Sequence, residues 1–474
     1  MDTELKAFMA TFARFIEFAN DQQNHDAGGP AIHQALSDYL NCDAGKVPVV
    51  VKDFPAHRHA DIDVALSVLA ESDPTGGAQL LGVAGGQERM HTSLSEMIRV
   101  SSTYGQFGVG TVDYVSVPIG PDERRKVVGF GLWLMTFKEH RIGVLLRGPN
   151  PEFGSTNARI ELVCCDDEIG DLFLGAVARL GNERSLLRGQ MISLGSSDYD
   201  DSTALMTFHR RPAVSAGDVI LPEGLLRRIE RHVVGVGRHA EKLKAAGQHL
   251  KRGVLLYGPP GTGKTHTVRY LASQSSEATI IMLSGTALSA ISYAAETARA
   301  LQPSIVVLED CDLVAQDRSM MGEDSAPLLF EVLDALDGLA NDADVAFLLT
   351  TNRADILEPA LAQRPGRVDL AVEIPLPGYD DRVHLFDLYA KSLKFSRSAL
   401  SAAAEATEGT PASFAKELIR RAVLIAVEDG REPGDDDLRR SADELGSDRE
   451  AFTRGLLGMR ASDEELEEDD LEFA

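Results

Sequence analysis

Three short stretches of the chain are apolar without interruption and show no alternation with polar residues. They cover residues 254–257, 305–308 and 346–349. A short apolar run of this kind is typical of a strand buried on both faces, as in a parallel sheet. Residues 265–272, which follow the first run, have the pattern of a helix. Strands that alternate with helices predict an α/β domain with a parallel sheet.

The N-terminal half of the chain has a different pattern, in which consecutive strands are joined by short turns. Residues 127–137 and 141–146 flank Lys138-Glu139-His140, and this arrangement predicts a hairpin. Residues 159–165 predict a third strand. Consecutive strands joined in this way are typical of antiparallel pairing.

Helical patterns accompany these N-terminal strands. Asp166 and Asp167 are placed to cap a helix after the third strand. The apolar positions of that helix are Ile169, Leu172, Phe173, Val177 and Leu180. A second stripe at helical spacing, typical of a core-facing helix, consists of Leu5, Phe8, Phe12, Phe15 and Ile16. We therefore expect an α+β domain in this half of the chain.

A glycine-rich loop joins the apolar run at 254–257 to its helix. Residues 258–265 are Gly-Pro-Pro-Gly-Thr-Gly-Lys-Thr, which is the complete pattern G-x-x-x-x-G-K-[ST]. Between a strand and a helix, such glycines let backbone N–H groups converge on phosphate oxygens. Lys264 supplies a positive charge to the β- and γ-phosphates, and the Thr265 hydroxyl is suited to Mg²⁺. The residues predicted to contact nucleotide are Gly258, Pro259, Pro260, Gly261, Thr262, Gly263, Lys264, Thr265 and His266.

Polar residues follow the other two apolar runs, where ligands bind in open parallel sheets. Glu309 and Asp310 follow residues 305–308, so that one carboxylate can hold Mg²⁺ and the other can orient an attacking water. An acidic loop start is the structural alternative for this pair. Asn352 follows the third run and could hydrogen-bond the attacking water or the γ-phosphate.

Two arginines lie in a later loop. Arg364 and Arg367 belong to the segment Arg-Pro-Gly-Arg. The planar guanidinium binds two oxygens at once, which suits the charge that develops on a transferring phosphoryl group. If these arginines stood alone, simple exposure to solvent would be the preferred interpretation.

At these residues the chain resembles the AAA family of ATPases. The resemblance covers about residues 222–428 and rests on motifs in the family's order: Walker A at 258–265, the lead into Walker B at 298–304, the inter-subunit signalling segment at 336–339, the sensor strand at 350–352 and the arginine-finger segment at 364–367. The resemblance implies Mg²⁺-dependent ATP hydrolysis in a homo-oligomeric ring, a hexamer, with ATP bound between neighbours. Arg364 and Arg367 would then act on the nucleotide of the next subunit.

The chain departs from the family pattern in three places. The usual Asp-Glu order of Walker B is reversed, as in a mitochondrial inner-membrane branch of the family. Glu309 thus takes the place of the metal-associated carboxylate beside Thr265, and Asp310 that of the residue that polarises water. The segment from Gly285 to Pro303 is shorter than the family's pore-loop region, and Tyr293 is its only aromatic residue. Residues 409–413 match the lid motif only loosely, so no second sensor residue is assigned.

Composition narrows the class of protein. A chain of 474 residues is too long for one core and predicts two or three domains. The net charge of −26 argues against sequence-independent nucleic-acid binding, which needs a cationic surface. Basic residues between 227 and 252 are interpreted as a solvated helix face, with nucleotide or intersubunit contacts as the alternative. The acidic run at 463–470 is interpreted as a disordered tail, with a docking tail as the alternative.

The apolar runs and the cysteines predict a cytoplasmic protein without a zinc site or a disulfide framework. No apolar run approaches the roughly 18 residues of a membrane span, and no signal peptide is recognised. The cysteines, at positions 42, 164, 165 and 311, are too scattered to predict a zinc site or a disulfide framework. Potential metal ligands occur close together at His57, His59, Asp61 and Asp63, but a polar loop is the preferred interpretation.

Four segments are predicted. Residues 1–220 form an α+β domain that recognises a protein partner, either a client or an adaptor. Residues 222–376 form the large P-loop α/β subdomain of an AAA ATPase, and residues 377–430 form a small helical lid. Residues 431–474 form an acidic, partly disordered tail.

The predicted function is that of an ATP-hydrolysing, chaperone-like ring that remodels, unfolds or disassembles protein clients. The alternative is a nucleotide-gated scaffold or switch, in which ATP binding controls assembly. The arginine pair favours the first function, whereas the shortened segment around Tyr293 favours the second.

Overall fold

The computed structural model describes residues 11, 29–150, 154–197, 200–311, 342–353 and 368–456. The chain divides into two compact units. The first consists of Met1–Arg211, Ser276–Val307 and Ala326–Val345. The second consists of Pro212–Ser275, Leu308–Ser325 and Ala346–Ala474.

The N-terminal part of the first unit contains an antiparallel sheet. Its strands are β1 (Val49–Pro55), β2 (Gln79–Val83), β3 (Val109–Gly110), β4 (Asp113–Pro118), β5 (Arg124–Phe137), β6 (His140–Arg147) and β7 (Asn157–Cys164). Their order is β1-β7-β6-β5-β2-β3, and β4 also pairs with β5. The predicted hairpin is confirmed as β5 and β6, because Lys138 and Glu139 take positive φ angles of 46° and 69° and form a tight turn.

Helices cover both faces of this sheet. They are α1 (Ile32–Leu40), α2 (His59–Glu71), α3 (Glu88–His91), α4 (Leu94–Tyr104) and α5 (Asp167–Glu183). Neighbouring residues of β7 belong to different cores, since Leu162 packs with α2 and α5 whereas Val163 packs with α1 and α4. The carboxylate of Asp166 accepts the N–H of Ile169 and caps α5, so the predicted cap is confirmed. The predicted α+β character of this region is also confirmed.

The first unit also contains a partly parallel group of strands. They are β8 (Met191–Ser197), β9 (Asp200–His209), β11 (Thr279–Ser284) and β12 (Ser304–Glu309), in the order β12-β11-β8-β9. The last two residues of β12 belong to the second unit. A helix, α10 (Ile291–Ala300), lies between β11 and β12 in the chain. β8 pairs in parallel with β11 and antiparallel with β9. Strands on both sides of the predicted boundary at residue 220 therefore pair with each other, and the boundary stays a prediction.

The second unit contains the strand that precedes the glycine-rich loop. This strand, β10 (Arg252–Tyr257), pairs in parallel with β13 (Val345–Thr351) and with β14 (Leu370–Glu373). Every residue of β13 is buried, as its unbroken apolar run predicts. Helices α6 (Leu225–Glu230), α7 (Val236–Arg238) and α8 (Ala240–Ala245) precede β10, and α9 (Lys264–Gln274) follows the loop. The predicted P-loop α/β fold with parallel strands is thereby confirmed.

A helical bundle completes the second unit. It consists of α11 (Tyr379–Tyr389), α12 (Arg397–Ala406), α13 (Ala412–Glu428) and α14 (Asp435–Leu456). Its core includes Phe386 and Leu418, which are fully buried. The hydroxyl of buried Ser441 on α14 donates to the carbonyl of Leu418 at 2.8 Å. The segment predicted as a tail therefore begins with a packed helix.

Some predicted features lie outside the described residues. These are the apolar stripe at positions 5–16, the signalling segment at 336–339, the arginine segment at 364–367 and the acidic run at 463–470.

Candidate functional site

The loop between β10 and α9 is shaped by glycines. Gly258, Gly261 and Gly263 have φ angles of 142°, 76° and 113°, a region that other residues rarely adopt. A Cβ on Gly258 would lie 2.2 Å from the carbonyl oxygen of Ile374, so only glycine fits there. Gly263 caps α9 without a side-chain acceptor. The first N–H groups of α9 are therefore directed towards the loop, where an anion can bind them.

Lys264 is buried at the start of α9. Its ammonium group donates to the carbonyls of Gly258 at 2.8 Å and Pro259 at 2.9 Å. The hydroxyl of Thr262 donates to the same Pro259 carbonyl at 2.9 Å. These bonds fold the loop around the ammonium group and hold a positive charge inside it.

β12 ends in the two predicted carboxylates, which have different surroundings. Burial raises the pKa of the Glu309 carboxyl, and a hydrogen bond with the Thr265 side chain opposes this rise. Glu309 Oε1 is buried and has no hydrogen-bond partner in the described parts of the chain. Asp310 takes a positive φ of 52°, and its N–H donates to the Thr350 hydroxyl at 3.0 Å. The backbone thus turns sharply between the two carboxylates.

β13 ends beside these carboxylates and carries hydroxyl groups. Thr350 holds the backbone of Asp310, while the hydroxyl of Thr351 accepts the N–H of Arg353 at 3.0 Å. Asn352 follows Thr351 in the sequence and lines a cavity in the second unit. Both strand ends therefore contribute to one site, as their sequence pattern predicts.

The cavity has a volume of about 450 Å³ and is formed entirely by the second unit. The predicted site residues in its lining are Pro260, Gly261, Thr262, Gly263, Lys264, Thr265, His266, Asp310 and Asn352. Gly258, Pro259 and Glu309 lie behind this lining, and they contact it through Lys264 and Thr265. Arg364 and Arg367 lie outside the described residues. The roles of all these residues stay predictions.

Two walls of the cavity are formed by residues that were not predicted from the sequence. One is the segment 218–221, where the Asp218 carbonyl lies 2.9 Å from Nε2 of His266. The Ser215 side chain and backbone N–H bond to the Asp218 carboxylate and lower its pKa. The apolar run Val219-Ile220-Leu221 was the available signal, but a short run alone does not distinguish a cavity wall from a strand.

The other wall comes from the helical bundle. Its lining residues on α11 and α13 are Leu385, Tyr389, Ala412, Ser413 and Lys416. The N–H of Ser413 donates to the carbonyl of Gly261 at 3.0 Å. A Cβ on Gly261 would lie 2.3 Å from the Ser413 hydroxyl oxygen, so the loop and the bundle are in close contact. The loosely matching segment 409–413 therefore does reach the glycine-rich loop.

The residues around His59 are not in a polar loop, so that interpretation was wrong. His59 begins α2, and its Nε2 lies 2.7 Å from the carbonyl of Val128. Asp63 accepts the N–H of Val128 at 3.1 Å, and Asp61 accepts the hydroxyl of Ser185 at 2.7 Å. All three side chains are buried and join α2 to its neighbours. Within the described residues, no group of three or more His, Cys, Asp or Glu could hold a metal ion.

Comparison with protein families gives the class of the domain. Residues 254–376 match the family described as ATPase family associated with various cellular activities (AAA). This match coincides with β10, the glycine-rich loop, β12, β13 and β14. The chain therefore contains an AAA domain.

The chain is similar to several proteins described as proteasome-activating nucleotidases. That of Thermococcus onnurineus is 30% identical over 255 residues, which cover 51% of this chain and 64% of the relative. That of Saccharolobus solfataricus is 30% identical over 245 residues, covering 49% and 62%. That of Sulfurisphaera tokodaii is 33% identical over 207 residues, covering 41% and 53%. The chain is thus homologous to these proteins over about half its length, and it spans less than two thirds of theirs.

The helices among the described residues are short or polar. None of them combines the length and the apolar character that crossing a bilayer demands.

Proposed function

We propose that this chain is a Mg²⁺-dependent ATPase that assembles into a ring and remodels or unfolds protein clients. The observation that carries the proposal is the convergence of the glycine-rich loop, Lys264, Asp310 and Asn352 on one cavity of about 450 Å³. That volume is in the range of small-molecule sites. The AAA domain match and the homology to proteasome-activating nucleotidases support the same activity.

The phosphate end of the site is the loop itself. The N–H groups at the start of α9 and the ammonium of Lys264 are positive and partly desolvated, so they favour a polyphosphate over water. The present bonds of Lys264 to the Gly258 and Pro259 carbonyls keep the ammonium close to where phosphate oxygens would lie. When ATP binds, the Lys264 ammonium would exchange these neutral carbonyl acceptors for charged phosphate oxygens, which form stronger hydrogen bonds.

Thr265 and Glu309 fit a magnesium site. Mg²⁺ prefers hydroxyl, carboxylate and water oxygens. Glu309 presents a buried oxygen without a partner among the described residues, and its carboxylate is hydrogen-bonded to Thr265. Burial costs this carboxylate stability as an anion, and a cation beside it would offset that cost. Bound there, Mg²⁺ would neutralise charge on the phosphates of ATP.

The hydrolytic end of the site belongs to Asp310 and Asn352. Both side chains line the cavity, whereas Glu309 lies behind the lining. Asp310 is suited to accept a proton from the attacking water, and the amide of Asn352 is suited to orient that water. The Thr350 hydroxyl accepts the N–H of Asp310, and this hydrogen bond fixes the backbone that carries the Asp310 carboxylate.

The apolar end of the cavity suits a nucleobase. Val219, Ile220 and Leu221 form one side, and Leu385 and Tyr389 form another. Aromatic and aliphatic side chains bury the faces of a flat ring, while backbone groups of the 218–221 segment can read its polar edge. The helical bundle thereby acts as a lid, since it contacts both the base end and Gly261.

Assembly completes the proposal. Arg364 and Arg367 are proposed to act on the nucleotide of a neighbouring subunit, which requires a head-to-tail interface that closes into a ring. A hexamer is the proposed state, with residues 1–220 recognising a protein client or adaptor. The relatives are named proteasome-activating nucleotidases, and the homology to them supports protein clients here.

Action in trans predicts complementation between two inactive proteins. Arg367→Ala should bind ATP but hydrolyse it poorly, and Lys264→Ala should fail at the phosphates. Mixed rings contain interfaces that join an intact Lys264 to an intact Arg367, so mixing should restore part of the steady-state ATPase activity. The exposed Arg439→Ala variant, as a control, should keep full activity. A monomer with full activity at every concentration would rule out this assembly.

A nucleotide-gated scaffold is the second candidate, favoured by the surroundings of Tyr293. The Tyr293 hydroxyl contacts both nitrogens of the His57 ring, with Nε2 at 2.9 Å. The two rings meet edge to face, with centroids 5.1 Å apart at 88°. Desolvation lowers the pKa of His57 to about 3, so the ring is neutral at pH 7. The Tyr293 side chain is therefore bound to His57 within the first unit, and this contact argues against its gripping a threaded chain.

Tyr293→Ala should leave basal ATP hydrolysis intact and lower stability instead. Loss of the ring contact and the hydrogen bond should cost about 1–3 kcal/mol in the free energy of unfolding. Tyr293→Phe should cost less, because the ring contact remains. Denaturant unfolding and phosphate release measure the two effects, with exposed Tyr104→Ala as the matched control. If the wild type unfolds a folded client processively and Tyr293→Ala cannot, then Tyr293 does grip substrate.

A further inference from the structure

Two cysteines far apart in the sequence meet in the first unit. Cys42 follows the C-terminal end of α1, and Cys165 follows β7. Their sulfur atoms are 2.7 Å apart, although 123 residues separate them along the chain. Neither the spacing of the cysteines nor their neighbours in the sequence reveals this pair.

The fold of the first unit holds these two positions together. α1 packs closely on the sheet, since a Cβ on Gly143 of β6 would lie 2.5 Å from a methyl group of Leu36. Leu36, Leu40 and Val163 belong to one buried core, which fixes α1 against β7. Asn41 then ends α1 in a left-handed conformation with φ 56° and directs the chain to Cys42. Core packing therefore sets the contact, rather than a flexible loop.

Solvent can reach this pair but cannot reach the other two cysteines. Cys165 is exposed and Cys42 is half-buried, whereas Cys164 and Cys311 are buried. Cys164 points into the core on the opposite side of β7 from Val163. Burial of the sulfur, followed by the hydrogen bond with Cys42, raises the pKa of the Cys165 thiol to about 11. A small oxidant can therefore approach the Cys165 sulfur, and the Cys42 sulfur lies beside it.

We propose that Cys42 and Cys165 are a reversible redox modification site, which a low-molecular-weight disulfide converts to an intrachain disulfide. A metal site is not favoured, because no group of three or more potential ligands forms in the parts of the chain that are described. A site that oxidises and is reduced again is the form that disulfides take where thiols are usually kept reduced.

The chemistry is a pair of thiol–disulfide exchanges with glutathione disulfide as oxidant. One thiol of the pair loses a proton, and its thiolate attacks one sulfur of glutathione disulfide, which forms a mixed disulfide and releases one glutathione thiolate. The other thiol then loses its proton and attacks the protein sulfur of the mixed disulfide, which forms the Cys42–Cys165 bond and releases the second glutathione thiolate. Two electrons pass to the oxidant, and the two protons pass to the released thiolates.

The disulfide would close a loop that contains every strand from β1 to β7. Cross-linking so long a loop restricts the unfolded chain strongly, and the effect grows with loop length. Oxidation should therefore raise the unfolding temperature of the full chain by several degrees, and a reductant should return it to its first value.

The experiment treats the reduced full chain with glutathione disulfide at mildly alkaline pH, where more thiol is ionised. We expect the intact mass to fall by about 2 Da, the two hydrogens lost in disulfide formation. The thiol count in denaturant should fall from four to two, given the four cysteines of the chain. Peptide mapping should join the peptides of Cys42 and Cys165, and dithiothreitol should reverse all three changes.

Matched variants separate this pair from its neighbours. Cys42→Ser and Cys165→Ser should each lose the mass change and the shift in unfolding temperature, whereas Cys164→Ala should keep both. If Cys164→Ala does not fold, peptide mapping of the wild type decides the pairing. A stable glutathione adduct at Cys165, a bond between Cys164 and Cys165, a bond between chains, or four unreacted thiols would each overturn the proposal.

Discussion

Lys264→Ala is expected to reduce ATP turnover at least about a hundredfold, since it removes the cation that faces the phosphates. The Lys264 ammonium is buried within the glycine-rich loop and bound to the Gly258 and Pro259 carbonyls. An alanine removes the ammonium donor from both carbonyls, whose partial negative charge then faces an anionic ligand, so ATP affinity should fall as well. Equilibrium binding of labelled ATP and steady-state phosphate release measure the two losses.

Lys242→Ala is the matched control for this substitution. Lys242 is exposed on α8 of the same unit and does not line the cavity. It should bind and hydrolyse ATP as the wild type does. Unchanged ATPase activity in Lys264→Ala would place the active site elsewhere in the chain.

The two carboxylates at the end of β12 should separate binding from hydrolysis. Asp310→Asn is expected to keep ATP affinity and to lose hydrolysis about a hundredfold or more, because an amide cannot accept the water's proton. Glu309→Gln is expected to weaken the Mg²⁺ dependence of ATP binding, because Glu309 bonds to Thr265 behind the cavity lining. Binding titrations with and without Mg²⁺, together with phosphate release, distinguish these outcomes.

Asp387→Asn on α11 serves as the control, because Asp387 is exposed and lies outside the lining. The opposite pattern would reverse the assigned roles: Glu309→Gln would trap bound ATP while Asp310→Asn hydrolysed normally. An aspartate is one methylene shorter than the glutamate it replaces in the family pattern. Asp310 nevertheless lines the cavity, and its positive φ of 52° marks a sharp turn of the backbone at this position.

Local patterns in the sequence predicted the central part of the site. The unbroken apolar runs before Gly258, Glu309 and Asn352 became the buried strands β10, β12 and β13. A strand buried on both faces needs such a run, and polar residues can follow only where the sheet ends. The places of the polar residues that follow these strands can therefore be predicted from a few consecutive residues.

Contacts between distant segments could not be predicted in this way. The cavity wall at 218–221 and the contact of Ser413 with Gly261 depend on how the helical bundle packs. Asp61 accepts a buried hydrogen bond from Ser185, which lies 124 residues away in the sequence. This contact gives Asp61 a structural role that its neighbours in the sequence do not predict. The Cys42–Cys165 contact arises in the same manner, because the core beneath α1 sets it.

ATP hydrolysis with Mg²⁺ at the cavity around Lys264 is the activity on which every other proposal for this chain depends. It is measured as phosphate release from ATP by the purified full chain, with Mg²⁺ and with a chelator. We predict release that saturates with ATP, requires Mg²⁺ and disappears in Lys264→Ala. Release that persists in the chelator or in Lys264→Ala, or no release above that of Lys264→Ala, would contradict the claim.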